Sequence, residues 1–513
     1  MAAPARTRSA FGVRLGRLLT LAIVGLALLL LSGRSATPSV LLITIDALRS
    51  DRLGCYGHPT NETPAIDRLA REGMIFEHAY CDIPWTTASM SSVMTGQYGS
   101  GHGLRLPMNK LSPSAVTMAE LLHARGFQTG AIIGSFPLDS VYGLDQGFET
   151  YDDEFSMPMI NDPDTTVAHV ESQLPEDRDT QAAFIREKFT NDAYRPDEQV
   201  TDAAIRWLDH VHDGRRFLLW VHYFGPHEKL RGDVGFVDQE PDIVAAYDPD
   251  VEASDRAVGR LLDHFRERQL LEDTLVVLHA DHGQNLGEHD YVGHSTRLDE
   301  VSVRIPLIVR YPRRVAGGGR RRDIAQNVDI LPTVLDATRI AELPGLAGRS
   351  LLPSYDDPLG LHVAADKQIA YFETYVSTLV YAPIAVPKIG ALLGPVERHG
   401  VRTPEWKLIT EDLVGPCSWG AAPSRDPFGA WTMQNPIALD AKRCAEIGQT
   451  ELYHASASSP DGLETSPTQP PEVVAALKAE IQKHAVRAGE GAEGKVTLSP
   501  EQERKLRSLG YLR

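Results

Sequence analysis

Three stretches of the chain carry unbroken apolar runs that stop at polar residues. "SVLLITIDALRSD" is apolar from Val40 to Ile45 apart from Thr44, and ends on Asp46. "RFLLWVHYFGPH" runs from Phe217 to Val221 and then supplies His222 and His227; "DTLVVLHADHG" runs from Thr274 to His279 and then supplies Asp281 and His282. Short runs of this kind, without alternation, are the pattern of strands buried on both faces, as in parallel sheets. Between them lie segments with helical period: "TPAIDRLAREG", "AVTMAELLHARG", "DEQVTDAAIRWLDHV" and "EASDRAVGRLLDHFRERQ". The alternation predicts an α/β fold, a largely parallel (mixed) central sheet flanked by helices. Ligands of such sheets bind outside the carboxyl ends of the strands. Each polar cluster falls at one of those ends.

The rhythm changes beyond about Asp356. "VRTPEWKLITE" and "TELYHA" read as short antiparallel strands and "PEVVAALKAEIQKHAV" as a covering helix, together a small C-terminal α+β subdomain. "GEGAEG" reads as a flexible joint. "SPEQERKLRSLGYL" reads as a last helix, with Ser499 as cap, Pro500 in the first turn, Gln502 closing a capping box and Gly510 ending it. The acidic, irregular stretch from Asp152 to Arg195 reads as an excursion over the sheet. The expected division is a leader at 1–36, a catalytic domain at 37–355, the C-terminal subdomain at 356–490, and a linker with terminal helix at 491–513.

Composition adds constraints. With 513 residues, 42% hydrophobic and 23% charged, the chain can bury a large core. Its net charge of −18 argues against nucleic acid as partner, since that binding needs basic clusters. An anionic substrate would need local positive charge from a metal or a few placed cations. At the N-terminus Arg6, Arg8, Arg14 and Arg17 precede the apolar run Leu18–Leu31. This suits a secretory signal better than a full span of roughly 20 residues. It implies export, to the periplasm or facing outside the cytoplasm, with the leader either cleaved or kept as a membrane tether. Cys417 and Cys444 are close enough in sequence for a disulfide, while Cys55 and Cys81 read as buried free thiols.

The candidate chemistry gathers Asp46, the loop "PWTTASMSSVMTG" with Thr86, the pair His222 and His227, and Asp281, His282 and His294. Carboxylates, imidazoles and a hydroxyl form an O/N donor set that suits zinc, manganese, magnesium or calcium. Thr86 is expected to open a helix over "TTASMSSVM", whose first amides would favour an anionic group. His102 in "GSGHG" reads as structural, and Tyr56 and Asn285 lie near the motifs without an assigned role.

Five ordered blocks resemble the sulfatase family of the alkaline phosphatase superfamily. They are "VLLITIDALRSDRLGCYG", "TPAIDRLAREGMIFEHAY", "SMSSVMTGQYGSGHG", "VVLHADHGQNLGEH" and "VRIPLIVRYP", from about residue 38 to 350. The resemblance implies Asp46, Asp281 and His282 as metal ligands, with Thr86 at the nucleophile position and able to join them. In the family that position is a Cys or Ser converted to formylglycine, read through a following Pro and Arg. Here Ala88 and Met90 stand at those places, beside Ser89. The family's cation-bearing stretch is replaced by "AIIGSFPLD", with Ser135 and Pro137, and a downstream lysine by His294.

A hydrated formylglycine carries two hydroxyls, one to attack sulfur and one to expel sulfate. Threonine has one. Once esterified, it can be released only by attack of water or an alcohol on the transferred group, which is ordinary chemistry for phosphorus. Other branches of the superfamily with threonine here, among them lipid A phosphoethanolamine transferases, imply roles for His227 and His294 in stabilising the group or protonating the leaving oxygen, with His222 supporting. These three histidines could instead hold a second metal.

The expected function is therefore a metal-dependent phosphoester hydrolase or phosphotransferase acting through Thr86. The donor set suits zinc or manganese more than calcium. The alternatives are a sulfuric ester hydrolase acting on a sulfated glycan or aryl sulfate, and a catalytically weak protein that binds an anionic glycan or lipid head group.

Overall fold

In a computed structural model the apolar runs form the middle of a nine-stranded sheet. The structure describes residues 37–105, 109–158, 192–211, 215–227, 240–288, 292–353, 368–375, 396–413, 450–455, 463–466 and 468–485, with isolated strand pairs at 418–438 and 494–495. The expected leader, most of the expected 152–195 excursion, Cys417, Cys444 and the expected terminal helix lie outside the described residues.

The strands are β1 (Ser39–Ile45), β2 (Met74–Tyr80), β3 (Gln128–Ile133), β4 (Thr150–Asp152), β5 (Phe217–Tyr223), β6 (Thr274–Ala280), β7 (Arg304–Ile305), β8 (Leu307–Arg310) and β9 (Gly319–Gln326). Their order is β7-β2-β8-β6-β1-β5-β3-β4, with β9 also paired to β2. β4, β3, β5, β1 and β6 run parallel. β8 runs antiparallel to both β6 and β2. All seven residues of β1, β5 and β6 are buried, which explains why their sequences lack alternation.

The packed helices are α1 (Pro64–Glu72), α2 (Thr86–Thr95), α3 (Met118–His123), α4 (Asp197–His210), α5 (Glu240–Glu267) and α6 (Ile330–Thr338). The periodic reading placed the start of α5 near Glu252. The helix begins a dozen residues earlier and carries Pro249 inside it. Pro241 and Pro249 hid this extension, whose Tyr247 is buried and whose hydroxyl donates to the Ala47 carbonyl at 2.7 Å.

A second sheet is antiparallel: β10 (Ala370–Thr374), β11 (Val396–Arg402), β12 (Trp406–Leu413), β13 (Thr450–Ala455) and β14 (Leu463–Thr465), with α7 (Pro471–Ala485) beside it. Leu477 and Ile481 of α7 join Tyr98, Val401, Leu408 and Leu452 in a second apolar cluster. No helix among the described residues is long and apolar enough to cross a membrane. Cys55 and Cys81 are both free, as expected; Cys81 is buried, but Cys55 is only half-buried.

Candidate active site

The strand ends bring the chemistry together. Asp46 follows β1, the Thr86 loop follows β2, Ser135 follows β3, His222 is the penultimate residue of β5, and Asp281 and His282 follow β6. Asp46, Thr86, Ser135, His222, Asp281 and His282 are all buried.

Ligand atoms of Asp46, Asp281 and His282 lie within 4.8 Å of one another. Asp281 Oδ1 accepts the Ala47 and His282 amides at 3.1 and 2.8 Å, which leaves Oδ2 to face inward. Asp46 Oδ1 and Asp281 Oδ2 are buried without a hydrogen-bond partner among the described residues. Orphaned buried carboxylate oxygens are costly unless something cationic meets them. Burial, followed by repulsion from Asp281, pushes the Asp46 carboxyl well above the ordinary carboxylate range. His282 Nδ1 lies 2.9 Å from the Gly283 carbonyl, which can only accept, so Nδ1 carries a proton and Nε2 faces the carboxylates. Donor chemistry, tautomer and orphaned oxygens all fit a divalent cation.

Thr86 is the first residue of α2, and its Oγ1 lies 3.1 Å from His282 Nε2. Every residue of α2 is buried, although "TTASMSSVMT" is rich in hydroxyls. The hydroxyls are used. Thr87 Oγ1 donates to the Pro137 carbonyl at 2.6 Å, and Ser89 Oγ to the Asp281 carbonyl at 2.6 Å. Ser92 Oγ donates to Asp82 Oδ2 at 2.7 Å and lies 3.0 Å from His102 Nε2. Asn327 Nδ2 bridges Asp82 Oδ1 (2.7 Å) and Ser89 Oγ (3.0 Å). This network ties α2 to the loop that carries Asp281. Burial drives Asp82 up to about 7 and holds His102 down to about 3. His102 is thus structural, as its sequence setting suggested.

Ser135 is a site residue whose place the sequence marked only as a substitution. Its Oγ lies 3.2 Å from His222 Nε2 and 3.4 Å from Asp46 Oδ2. His222 Nε2 lies 3.5 Å from the same carboxylate oxygen. Burial lowers His222 to about 4, so it is a neutral imidazole. His227 and His294 stand apart from it, as neighbours of each other with ring centroids 5.1 Å apart. The His294 ring also stacks on His282 at 4.3 Å, and its Nδ1 lies 2.9 Å from Gln284 Oε1. Among the described residues the only group assembled for a metal is Asp46, Asp281 and His282; the three remaining histidines form no such group. Tyr56 and Asn285 are loop anchors: the Tyr56 hydroxyl donates at 3.1 Å to the Leu307 carbonyl, and Asn285 Nδ2 to Ser302 Oγ at 2.5 Å.

Three positive-φ positions aim these groups. Ala47, directly after Asp46, has φ +55°, and Ser295, directly after His294, has φ +74°. Side-chain-bearing residues rarely adopt this region. Gly225, in the turn that brings His227 round, has φ +58°, and a Cβ there would come within 2.6 Å of Ile45 Cγ2. Only glycine fits.

A fold of this kind with such a centre matches the family profile described as Sulfatase over residues 38–340. The chain belongs to the sulfatase family, a family of ester hydrolases within the alkaline phosphatase superfamily. It is 28% identical over 410 residues to the steryl-sulfatase of Mus musculus, covering 62% of this chain and 64% of that protein. Among solved structures, a protein in complex with its substrate D-glucosamine-2-N,6-O-disulfate superposes with a TM-score of 0.60 at 18% identity, covering 88% and 98% of the two chains. The phosphonate monoester hydrolase of Agrobacterium radiobacter superposes with a TM-score of 0.61 at 15% identity, covering 90% and 98%. At these identities the structural likeness speaks for the fold.

Proposed function

We propose that this protein is a metal-dependent phosphoester hydrolase or phosphotransferase in which Thr86 is the nucleophile. The observation that carries the reading is a buried hydroxyl at the first residue of α2, 3.1 Å from the His282 imidazole and beside two carboxylates with orphaned oxygens. Asp46, Thr86, Asp281 and His282 would hold one divalent ion, zinc or manganese by their donor chemistry, and when bound it would lower the pKa of the Thr86 hydroxyl.

The first-turn amides of α2 favour an anionic ester at Thr86. As the Thr86 oxygen attacks phosphorus, its proton passes to His227 or to His294, the latter held neutral by burial; the bond between phosphorus and the alcohol oxygen breaks, and the same imidazole gives that oxygen the proton. The same imidazole then accepts a proton from water or an acceptor alcohol. The resulting oxygen attacks phosphorus and frees Thr86. His222 and Ser135 hold the outer oxygen of Asp46. The leader sequence supports an exported enzyme, periplasmic or tethered to a membrane, and an envelope lipid or glycan ester as substrate.

A sulfuric ester hydrolase is the second reading, favoured by the family and by the steryl-sulfatase match. Paired rates separate the two. The purified protein, supplied in turn with zinc, manganese and calcium, is offered an aryl phosphate monoester, an aryl phosphodiester and an aryl sulfate. Preferential phosphoester turnover that vanishes in Thr86→Ala supports the proposal. Preferential sulfate turnover would reject it.

A further inference from the structure

The second sheet carries a row of side chains whose targets are the backbone beside His294. Thr374 on β10 pairs in register with Arg398 on β11, and Arg398 pairs with Glu411 on β12. The Thr374 hydroxyl donates to the Ser295 carbonyl, and the Arg398 guanidinium donates to the Thr296 carbonyl. Arg398 is itself held by Glu411, whose Oε1 accepts from Nε at 2.5 Å.

The segment they grip is bent. The Thr296 amide donates to the His294 carbonyl at 2.9 Å, and the residue between them, Ser295, has φ +74°. This is the positive-φ sense of the γ-turn, which is rare and strained for a residue with a side chain. Such a turn persists only where its surroundings hold it.

The contact continues in two-residue steps along β11. A Cβ at Gly400 would lie 3.4 Å from Leu298 Cδ1, and Arg402 Nε lies 3.5 Å from Glu300 Oε1. Lys407, the cross-strand partner of Arg402, donates to Glu300 Oε2 at 3.0 Å, and both are buried. Positions 398, 400 and 402 therefore meet positions 296, 298 and 300. One face of the sheet is a template for the segment that follows His294.

We infer that Thr374 and Arg398 are positioning residues, which hold the strained turn at Ser295 and thereby fix the His294 imidazole against the site. The inference rests on the role given to His294 above. It assigns the C-terminal subdomain a part in the chemistry without contact to the substrate. It also explains why a ring stacked on His282 is anchored from outside its own loop: the hairpin before it, Asn285–Leu286 with Val292–Gly293, supplies two residue pairs among the described residues.

Thr374→Val keeps the side-chain volume and removes the donor; Arg398→Met removes the second donor; Arg398→Lys restores a cation. Hydrogen exchange of the full-length protein reads the clamp directly. Exchange at 294–298 is expected to quicken about tenfold in Thr374→Val and Arg398→Met, with β6 unchanged, and to recover in part in Arg398→Lys. Unchanged protection at 294–298, or equal loss in β6, would overturn the clamp. Kinetics on an aryl phosphate monoester read the consequence. In both variants kcat should fall about 10- to 100-fold with KM little changed, and neither change should add to His294→Ala. Full additivity would overturn the positioning role. If His294→Ala itself turns over normally, or the wild type ignores the phosphate ester, the functional reading fails, and exchange still decides the clamp.

Discussion

In the proposed mechanism a single hydroxyl, that of Thr86, decides what the site can do. Removing it in Thr86→Ala should lower turnover by at least about 10³-fold while leaving the fold intact, whereas Thr86→Ser keeps the nucleophile and should retain measurable activity. Rates and circular dichroism on the two variants check this, and equal loss in both would mean that the methyl group rather than the oxygen matters. The carboxylates make a complementary prediction. Burial, followed by repulsion from Asp281, pushes the Asp46 carboxyl up in the absence of a cation. Asp281→Asn should therefore be neutral or stabilising in chelator, and less stable than wild type in saturating zinc, where ligation contributes about 2.7 kcal/mol at a hundredfold excess over Kd. Thermal melts with and without metal give the sign. These residues were legible in the sequence because each stands directly at the end of a strand or the start of a helix. Ser135 was less so, since a serine after an apolar run carries no pattern of its own.

Elements hold these residues through buried polar contacts that periodicity does not reveal. The strands were legible from their apolar runs, and α2 from its start at Thr86. The reason a helix with so many hydroxyls can be buried was not, because its partners Asn327 and Asp281 are far away in sequence. Asn327→Leu removes the bridge between Asp82 and Ser89. It should cost about 2–4 kcal/mol in denaturant unfolding and lower kcat, since α2 loses a tie to the ligand loop. A variant with native stability and native kcat would show the bridge to be incidental. The early start of α5 was also hidden, by Pro241 and Pro249. Yet that extension carries Tyr247, which accepts the Arg49 amide at 2.9 Å and grips the turn after Asp46.

At the scale of the molecule, two sheets share one site. The α/β class and largely parallel character of the main sheet follow from alternating apolar runs and helices, and its carboxyl edge collects the catalytic candidates. The role of the second sheet could not be read from sequence, since it lies in register between Thr374, Arg398 and Glu411 and in their contacts with residues about a hundred positions away or less. The buried network also leaves a pH signature. His102, held at about 3 by burial, binds its proton only in the unfolded chain between pH 6.5 and 3. Its contribution is present above pH 6.5 and is lost as pH falls, by at most about 1.4 kcal/mol per pH unit. Asp82, raised to about 7, works in the opposite sense in wild type and in His102→Gln alike. The stability advantage of wild type over His102→Gln should therefore shrink as pH falls from 6.5 towards 3. A gap that does not change with pH would contradict the burial of a neutral imidazole there.

The most direct test of the central claim is to trap the covalent state. The zinc- or manganese-loaded protein is mixed with an aryl phosphate monoester, quenched in acid within the first turnovers, digested, and the peptide containing Thr86 is weighed and sequenced by mass spectrometry. The account predicts one phosphoryl group on Thr86, absent from Thr86→Ala and from protein incubated without substrate. Steady turnover with no phosphoryl group on Thr86, or turnover that persists in Thr86→Ala, would contradict it.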